Sequence, residues 1–60
     1  MDYKVTIICP QSDLFVHPFW ADDMGDIARG VEDAIAKWRR QNPGKTLLGK
    51  AACQILVERA

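Results

Sequence analysis

Histidine and cysteine, the residues that most often bind metals or act as nucleophiles, are scarce in this sequence. There is one histidine, His17, and there are two cysteines, Cys9 and Cys53, with no Cys-x-x-Cys pair. A structural zinc site takes four ligands, so a single chain could complete one here only by adding carboxylates. Both cysteines follow apolar residues, where a thiol behaves as a small buried hydrophobe. We therefore expect no metal, no cofactor and no cysteine–histidine catalytic pair, and so no enzyme.

Neither sign of charge predominates, and long apolar runs are also missing. Eight basic residues balance eight acidic ones, so no overall field selects a polyanionic partner. The longest apolar runs span about three residues, against the roughly 18 that a transmembrane helix needs. The segment Met1-Asp2-Tyr3-Lys4 lacks the basic head and apolar stretch of a signal peptide. These features predict a cytoplasmic protein with reduced thiols and no membrane partner.

The short length limits the core. Sixty residues form a single small domain, residues 1–60, which buries only about 60% of the surface of its unfolded chain. Domains of this size usually gain stability from a disulfide, a metal or a second subunit. Since the first two are disfavoured by the composition, we expect a homodimer.

The first half of the chain has the pattern of a β-hairpin. Residues 3–9 alternate Tyr3, Val5 and Ile7 on one face with polar residues and Ile8 on the other, which predicts a strand. A turn-type cluster follows over residues 10–13. Residues 14–20 favour a second strand, and Pro18 restricts it to the edge of a sheet because proline cannot donate to a ladder.

The strongest local signal is an amphipathic helix over residues 22–41. Its apolar residues recur at spacings of three and four: Met24, Ile27, Ala28, Val31, Ala34, Ile35 and Trp38. Asp22 or Asp23 can cap the first turn, and the segment Asn42-Pro43-Gly44 ends the helix. Gly30 lowers helix propensity, and close approach of another backbone would account for it.

The last segment, residues 46–58, fits either a strand or a helix by periodicity. We favour a strand, because a lone first strand beside one helix needs a second long strand to complete a sheet. The predicted fold is α+β, a small two- or three-stranded sheet in the order β-β-α-β, with one amphipathic helix packed on one face. The other sheet face would be free to meet a second subunit.

One string resembles the end of a phosphate-binding loop, the Gly-Lys-Thr that starts at Gly44. The full motif needs a glycine where Arg39 stands, and it follows a strand rather than a helix. We therefore interpret this string as a turn with solvent-exposed lysines and not as a nucleotide-binding loop.

Function is predicted from the aromatic segment and the charged end of the helix. We interpret Phe15, Phe19 and Trp20 as apolar anchors and Arg39 and Arg40 as charged contacts in a non-catalytic protein-binding module. Such a small accessory or inhibitor protein would dock on a larger protein complex, and phage-type anti-defence proteins, including anti-CRISPR proteins, share this size class. In a competing interpretation, half of the aromatics cap the core. The alternative function is a small dimeric nucleic-acid-binding regulator that uses the basic cluster from Lys37 to Lys50.

Overall fold

The computed structural model describes residues 1–10, 12–45 and 53–60. It contains four elements, β1 (Asp2–Ile8), β2 (Phe15–Trp20), α1 (Met24–Gln41) and β3 (Gln54–Arg59). The strands form one antiparallel sheet in the order β2-β1-β3, and α1 packs on one face. The predicted α+β fold and its β-β-α-β order are confirmed. Of the strand predicted over residues 46–58, the part from 54 onward is confirmed, and 46–52 lie outside the described residues.

β1 is the central strand, and successive residues along it form backbone hydrogen bonds alternately to β2 and to β3. On the β2 side, Met1 and Ala21 exchange two backbone hydrogen bonds of 3.0 and 3.1 Å. On the β3 side, the Ala60 N–H donates to the Asp2 carbonyl at 2.9 Å. In an antiparallel ladder the bonded pairs alternate with unbonded ones, so odd residues of β1 bond to β2 and even residues bond to β3.

This alternation determines which backbone groups point away from the sheet at its two edges. The outward residues are Val16, Pro18 and Trp20 in β2 and Ile55, Val57 and Arg59 in β3. Pro18 therefore occupies a position whose nitrogen has no ladder bond to make. The prediction that Pro18 restricts this segment to an edge strand is confirmed.

The core lies between β1 and α1. Val5 and Ile7 are fully buried on the helix side of the sheet, with Ala34 and Trp38 of α1 packed against them. Trp38 is the largest of the fully buried side chains. The alternation of residues 3–9 therefore identified the buried face of β1 correctly.

The helix begins and ends at the capping residues that the sequence indicates. Asp23 is the N-cap, and its side chain accepts a hydrogen bond from the Asp26 N–H at 2.9 Å. Asn42 is the C-cap, and both its backbone N–H and its side-chain amide donate to the Trp38 carbonyl, each at 2.9 Å. These bonds satisfy groups that a helix terminus otherwise leaves unpaired.

The buried side of α1 is rotated relative to the predicted apolar face. Gly30, Ala34 and Trp38 are its buried residues, whereas Met24 and Ala28 are exposed. The rotation follows from Gly30: a Cβ there would fall 2.7 Å from Phe19 Cγ and closer to two other ring carbons. The close approach at Gly30 is thus made by the side chain of Phe19, where the sequence analysis had offered another backbone as the candidate.

The two cysteines form a disulfide, which corrects the expectation of reduced thiols. The β1–β3 register pairs Ile8 with Gln54, so the next residues, Cys9 and Cys53, lie directly opposite one another. Their Cα atoms are 4.4 Å apart, and the bond joins positions 44 residues apart in the chain. The sequence did not reveal this pairing because the register between distant strands is a property of the folded sheet.

Candidate protein-interaction surface

The face of the sheet opposite α1 is covered by no described element. We call it the open face. Side chains alternate between the two faces of a strand, so the register assigns ten residues to it: Asp2, Lys4, Thr6 and Ile8 of β1, Val16, Pro18 and Trp20 of β2, and Gln54, Leu56 and Glu58 of β3. All three strands contribute to this surface.

Four large apolar side chains on the open face are exposed to solvent. The exposed fractions are 60% for Trp20, 48% for Val16, 43% for Leu56 and 38% for Ile8. Thr6 lies between its cross-strand partners Val16 and Leu56 and is only 9% exposed, because these neighbours cover it. Singly exposed apolar residues are normal, whereas a contiguous patch marks an interaction surface.

Charged residues border this patch on one side. Lys4 stands opposite Pro18 on β2 and Glu58 on β3, and Asp2 stands opposite Trp20. The open face thus has an apolar half around Thr6 and a charged half around Lys4. Protein–protein interfaces combine apolar and polar residues, and this face offers both.

Phe15 and Phe19, two of the predicted anchors, lie on the helix side of the sheet. Both are partly buried and pack against the core cluster. The Phe19 ring stacks on Tyr3 with 5.7 Å between ring centroids, and it lies 6.3 Å from the His17 ring. Of the three predicted aromatic anchors, Trp20 is the one on the open face, because adjacent strand residues point to opposite faces.

Arg39 and Arg40 occupy the last turn of α1 and are exposed. Trp20 lies just before the start of the helix, and a helix rises 1.5 Å per residue, so about 22 Å of helix separate Met24 from Arg39. The structure therefore does not join Trp20 and the arginines into one compact site. Their place at the helix C-terminus is favourable in itself, because it complements the helix dipole.

Phe15 lies near the C-terminal end of α1, beside a cleft of about 290 Å³. The cleft is lined by Ser12, Asp13, Leu14, Phe15, Gln41, Asn42 and Lys45. Most of these side chains are polar or charged. Ligand pockets are usually lined mainly by apolar groups with a few placed polar ones, so the cleft does not have that character.

Three residues of the apolar patch were missed by the sequence analysis, Ile8, Val16 and Leu56. Ile8 carried a signal: it is the one large apolar residue on the otherwise polar face of β1. Val16 and Leu56 flank Thr6 only because β2 and β3 pair with the same strand. That arrangement joins parts of the chain 40 residues apart, and no local pattern encodes it.

The groups that could take part in chemistry are few. The disulfide occupies both sulfurs, so neither cysteine offers the thiolate that a cysteine nucleophile needs. Across residues 1–10, 12–45 and 53–60, no three His, Cys, Asp or Glu side chains come together as metal ligands would. The pKa of Asp26 is lowered by the hydrogen bond from the Asp22 N–H and by the Arg29 side chain, an arrangement that stabilises the helix start.

Comparisons with protein-family models, with curated proteins and with solved structures found no significant match. Within the described part of the chain, no helix has the length and apolar character that crossing a membrane requires.

Proposed function

We propose that this chain is a non-catalytic protein-binding domain, a small accessory or inhibitor protein that docks on a larger protein through the open face. The observation that carries the proposal is the exposure of four large apolar side chains on this one face: Ile8, Val16 and Leu56 around Thr6, and Trp20 at the other end of β2. A chain of 60 residues has little apolar surface to spare for its own core. Leaving four such side chains exposed on one face is best explained by a surface that another molecule covers.

Trp20 is the anchor of this surface. Tryptophan is the residue type most enriched in binding hot spots, and its ring is the most exposed of the four side chains in the patch. Burying a large apolar side chain fully contributes on the order of 1.5–3 kcal/mol. The four side chains are 38% to 60% exposed, so covering them contributes roughly half of that figure each and offsets part of the entropy lost on association.

The flatness of a sheet face favours a folded protein as partner over a small molecule. A small ligand needs a concave site that encloses most of its surface, whereas a protein partner can lie against a three-stranded sheet. A short chain that covers a flat part of a larger complex can block it sterically. An inhibitor, such as a phage-type anti-defence protein, would act through a block of this kind.

Site-specific photo-crosslinking tests the proposal. A p-benzoylphenylalanine residue at position 16 would lie in the apolar patch, and the same residue at Glu32, exposed on α1, is the matched control. In cells of the source organism we expect a discrete protein adduct from position 16 and none from position 32. The same adducts from both positions, or none from either, would contradict the proposal.

The adduct also separates the competing assignments. An adduct of twice the chain mass, 6.8 kDa, assigns the open face to a second copy instead of a different protein. A nuclease-sensitive adduct would identify a nucleic acid on the open face, whereas the alternative function, a dimeric nucleic-acid-binding regulator, uses the basic cluster at the C-terminal end of α1. The described basic residues of that cluster are exposed: Lys37, Arg39, Arg40 and Lys45. Replacing Arg39 and Arg40 by glutamate would then abolish binding, and so would added salt.

The disulfide bears on the proposed cytoplasmic location. Disulfides persist in oxidising compartments, and the cytoplasm keeps thiols reduced. Alkylation of the protein directly after cell lysis separates the two cases. Two modified cysteines support the cytoplasm, and two protected cysteines indicate an oxidising compartment.

A further inference from the structure

The two edges of the sheet differ in their capacity to pair with another strand. On β2 the central outward residue is Pro18, which has no N–H, so this edge presents an interrupted row of donors. On β3 the outward residues are Ile55, Val57 and Arg59, each of which has a backbone N–H and a carbonyl. No described strand pairs with the outer edge of β3. Unprotected edges of this kind are templates for strand addition.

The side chains of β3 are also exposed to solvent on both faces of the sheet. Helix α1 packs on β2 and β1, which leaves Ile55 and Val57 exposed on the helix side. Leu56 is exposed on the open face. Three consecutive apolar residues are therefore in contact with solvent, on a strand whose outer edge pairs with none of the described strands.

We infer that β3 pairs antiparallel with β3 of a second copy, about a two-fold axis at Leu56. The axis is perpendicular to the sheet, so the outward Ile55 of one copy exchanges hydrogen bonds with Val57 of the other, and the reverse pair does the same. The dimer is a continuous six-stranded sheet, β2-β1-β3-β3-β1-β2, with both helices on one side. This dimer uses the strand edge, so it holds whether or not the open face binds a partner.

Side-chain complementarity selects a second copy in this register. Leu56 meets its own equivalent on the axis, Ile55 meets Val57, and the Gln54 amide meets the Glu58 carboxylate, to which it can donate. Shifting the axis to Val57 would place Glu58 opposite Leu56 and Arg59 opposite Ile55. The chain carries no net charge, so no overall repulsion opposes pairing of two copies.

The first test is the solution mass over a dilution series, with a pair of proline variants. Val57→Pro removes an outward N–H without breaking a bond to β1, and Val16→Pro makes the equivalent change on the β2 edge at similar exposure, 42% against 48%. We expect the wild type and Val16→Pro to be dimers at micromolar concentrations. Losing one donor per copy should weaken the Val57→Pro dimer by about tenfold or more. A monomeric wild type, or an unaffected Val57→Pro dimer, would overturn the inference.

A crosslinking test remains informative if Val57→Pro fails to fold. Residues on the axis form an unbonded pair with Cα atoms about 4.5 Å apart, which suits a disulfide. We expect Leu56→Cys to form a covalent dimer under oxidised glutathione, which converts the two thiols to one disulfide. Val16→Cys, on β2, should form no covalent dimer under the same conditions. Equal crosslinking of the two variants, or no crosslinking of Leu56→Cys, would contradict dimerisation through the β3 edge.

The quenching of Trp20 fluorescence separates this dimer from stacking of two open faces. Trp20 lies on β2, two strands away from the β3 edge. Its quenching by acrylamide should therefore be the same in the dimer and in the diluted monomer. Protection of Trp20 on dimerisation would assign self-association to the open face and overturn the edge pairing.

Discussion

Phe19 determines how closely α1 approaches the sheet. Its ring lies against Gly30, with Tyr3 stacked beside it from the neighbouring strand. Glycine at this position costs about 1 kcal/mol of helix propensity relative to alanine. The absence of a Cβ allows the helix to rest directly on the aromatic ring, so contact between α1 and β2 outweighs that cost.

Replacing Gly30 by alanine should therefore destabilise the protein. The new methyl group would overlap the Phe19 ring, and overpacking of this kind costs about 1–3 kcal/mol, more than the helix-propensity gain. Gly25→Ala is the control with milder crowding, since its Cβ would lie 3.3 Å from Oδ1 of the N-cap Asp23, which would have to shift by only a few tenths of an ångström. Chemical denaturation of both variants measures the difference. A Gly30→Ala protein as stable as Gly25→Ala would show that the ring moves aside freely.

Asp26 makes the helix start sensitive to acid. Its carboxylate accepts a hydrogen bond from the Asp22 N–H at 3.1 Å and pairs with Arg29, and both interactions lower its pKa below the usual 3.8. A lowered pKa in the folded state stabilises the protein above the unfolded-state pKa, and this contribution is lost as the pH falls toward the folded-state pKa.

The Asp26→Asn variant should therefore respond less to acid than the wild type. As the pH falls below the unfolded-state pKa, we expect the wild type to lose more of its free energy of unfolding than Asp26→Asn, so that the difference in stability between the two proteins narrows. Arg29→Ala should give an intermediate response, because the bond from Asp22 remains. Equal pH dependence of the wild type and Asp26→Asn would exclude this role for Asp26.

Among the elements, β3 depends most on a covalent bond. It pairs with β1 along its inner edge, has exposed side chains throughout, and is joined to β1 by the disulfide between Cys9 and Cys53. In the chain-entropy description, a bond across a loop of this length stabilises a fold by about 3–4 kcal/mol. That is a large share of the stability of a small domain.

Reduction of the disulfide should thus lower the free energy of unfolding by about 3–4 kcal/mol and release β3 first. Denaturation with and without a phosphine reductant measures the loss, and hydrogen exchange identifies the amides that open. The free energy of unfolding of the Cys9→Ala/Cys53→Ala protein should be the same with and without the reductant. If the reduced wild type keeps its stability, strand pairing alone holds β3.

At the scale of the whole molecule, the two tryptophans report on different surfaces. Trp38 is fully buried in the core, and Trp20 is 60% exposed on the open face. We expect acrylamide to quench the emission of Trp20 and to leave that of Trp38 largely intact. A protein partner identified by crosslinking should protect Trp20, with the Trp20→Phe variant as the control for the core signal. Unchanged quenching in the complex would place the partner elsewhere.

The elements themselves were predictable from the sequence, because their determinants are local. Each determinant involves residues only a few positions apart in the chain. They are the alternation over residues 3–9, the spacing of the apolar residues before Trp38, the N-cap at Asp23 and the C-cap at Asn42. The edge position of β2 was equally local, since Pro18 cannot donate to a ladder. The sequence alone therefore predicted the α+β fold and its element order.

The candidate surface was decided by tertiary structure. Three contacts depend on strand register and helix placement. They are the disulfide between Cys9 and Cys53, the grouping of Val16 and Leu56 around Thr6, and the contact of Phe19 with Gly30. Register joins segments far apart in the chain, and a shift of one residue would exchange the two faces of a strand. Local periodicity predicts which residues of a strand share a face. Which strands lie side by side, and in which register, is determined only in the folded sheet.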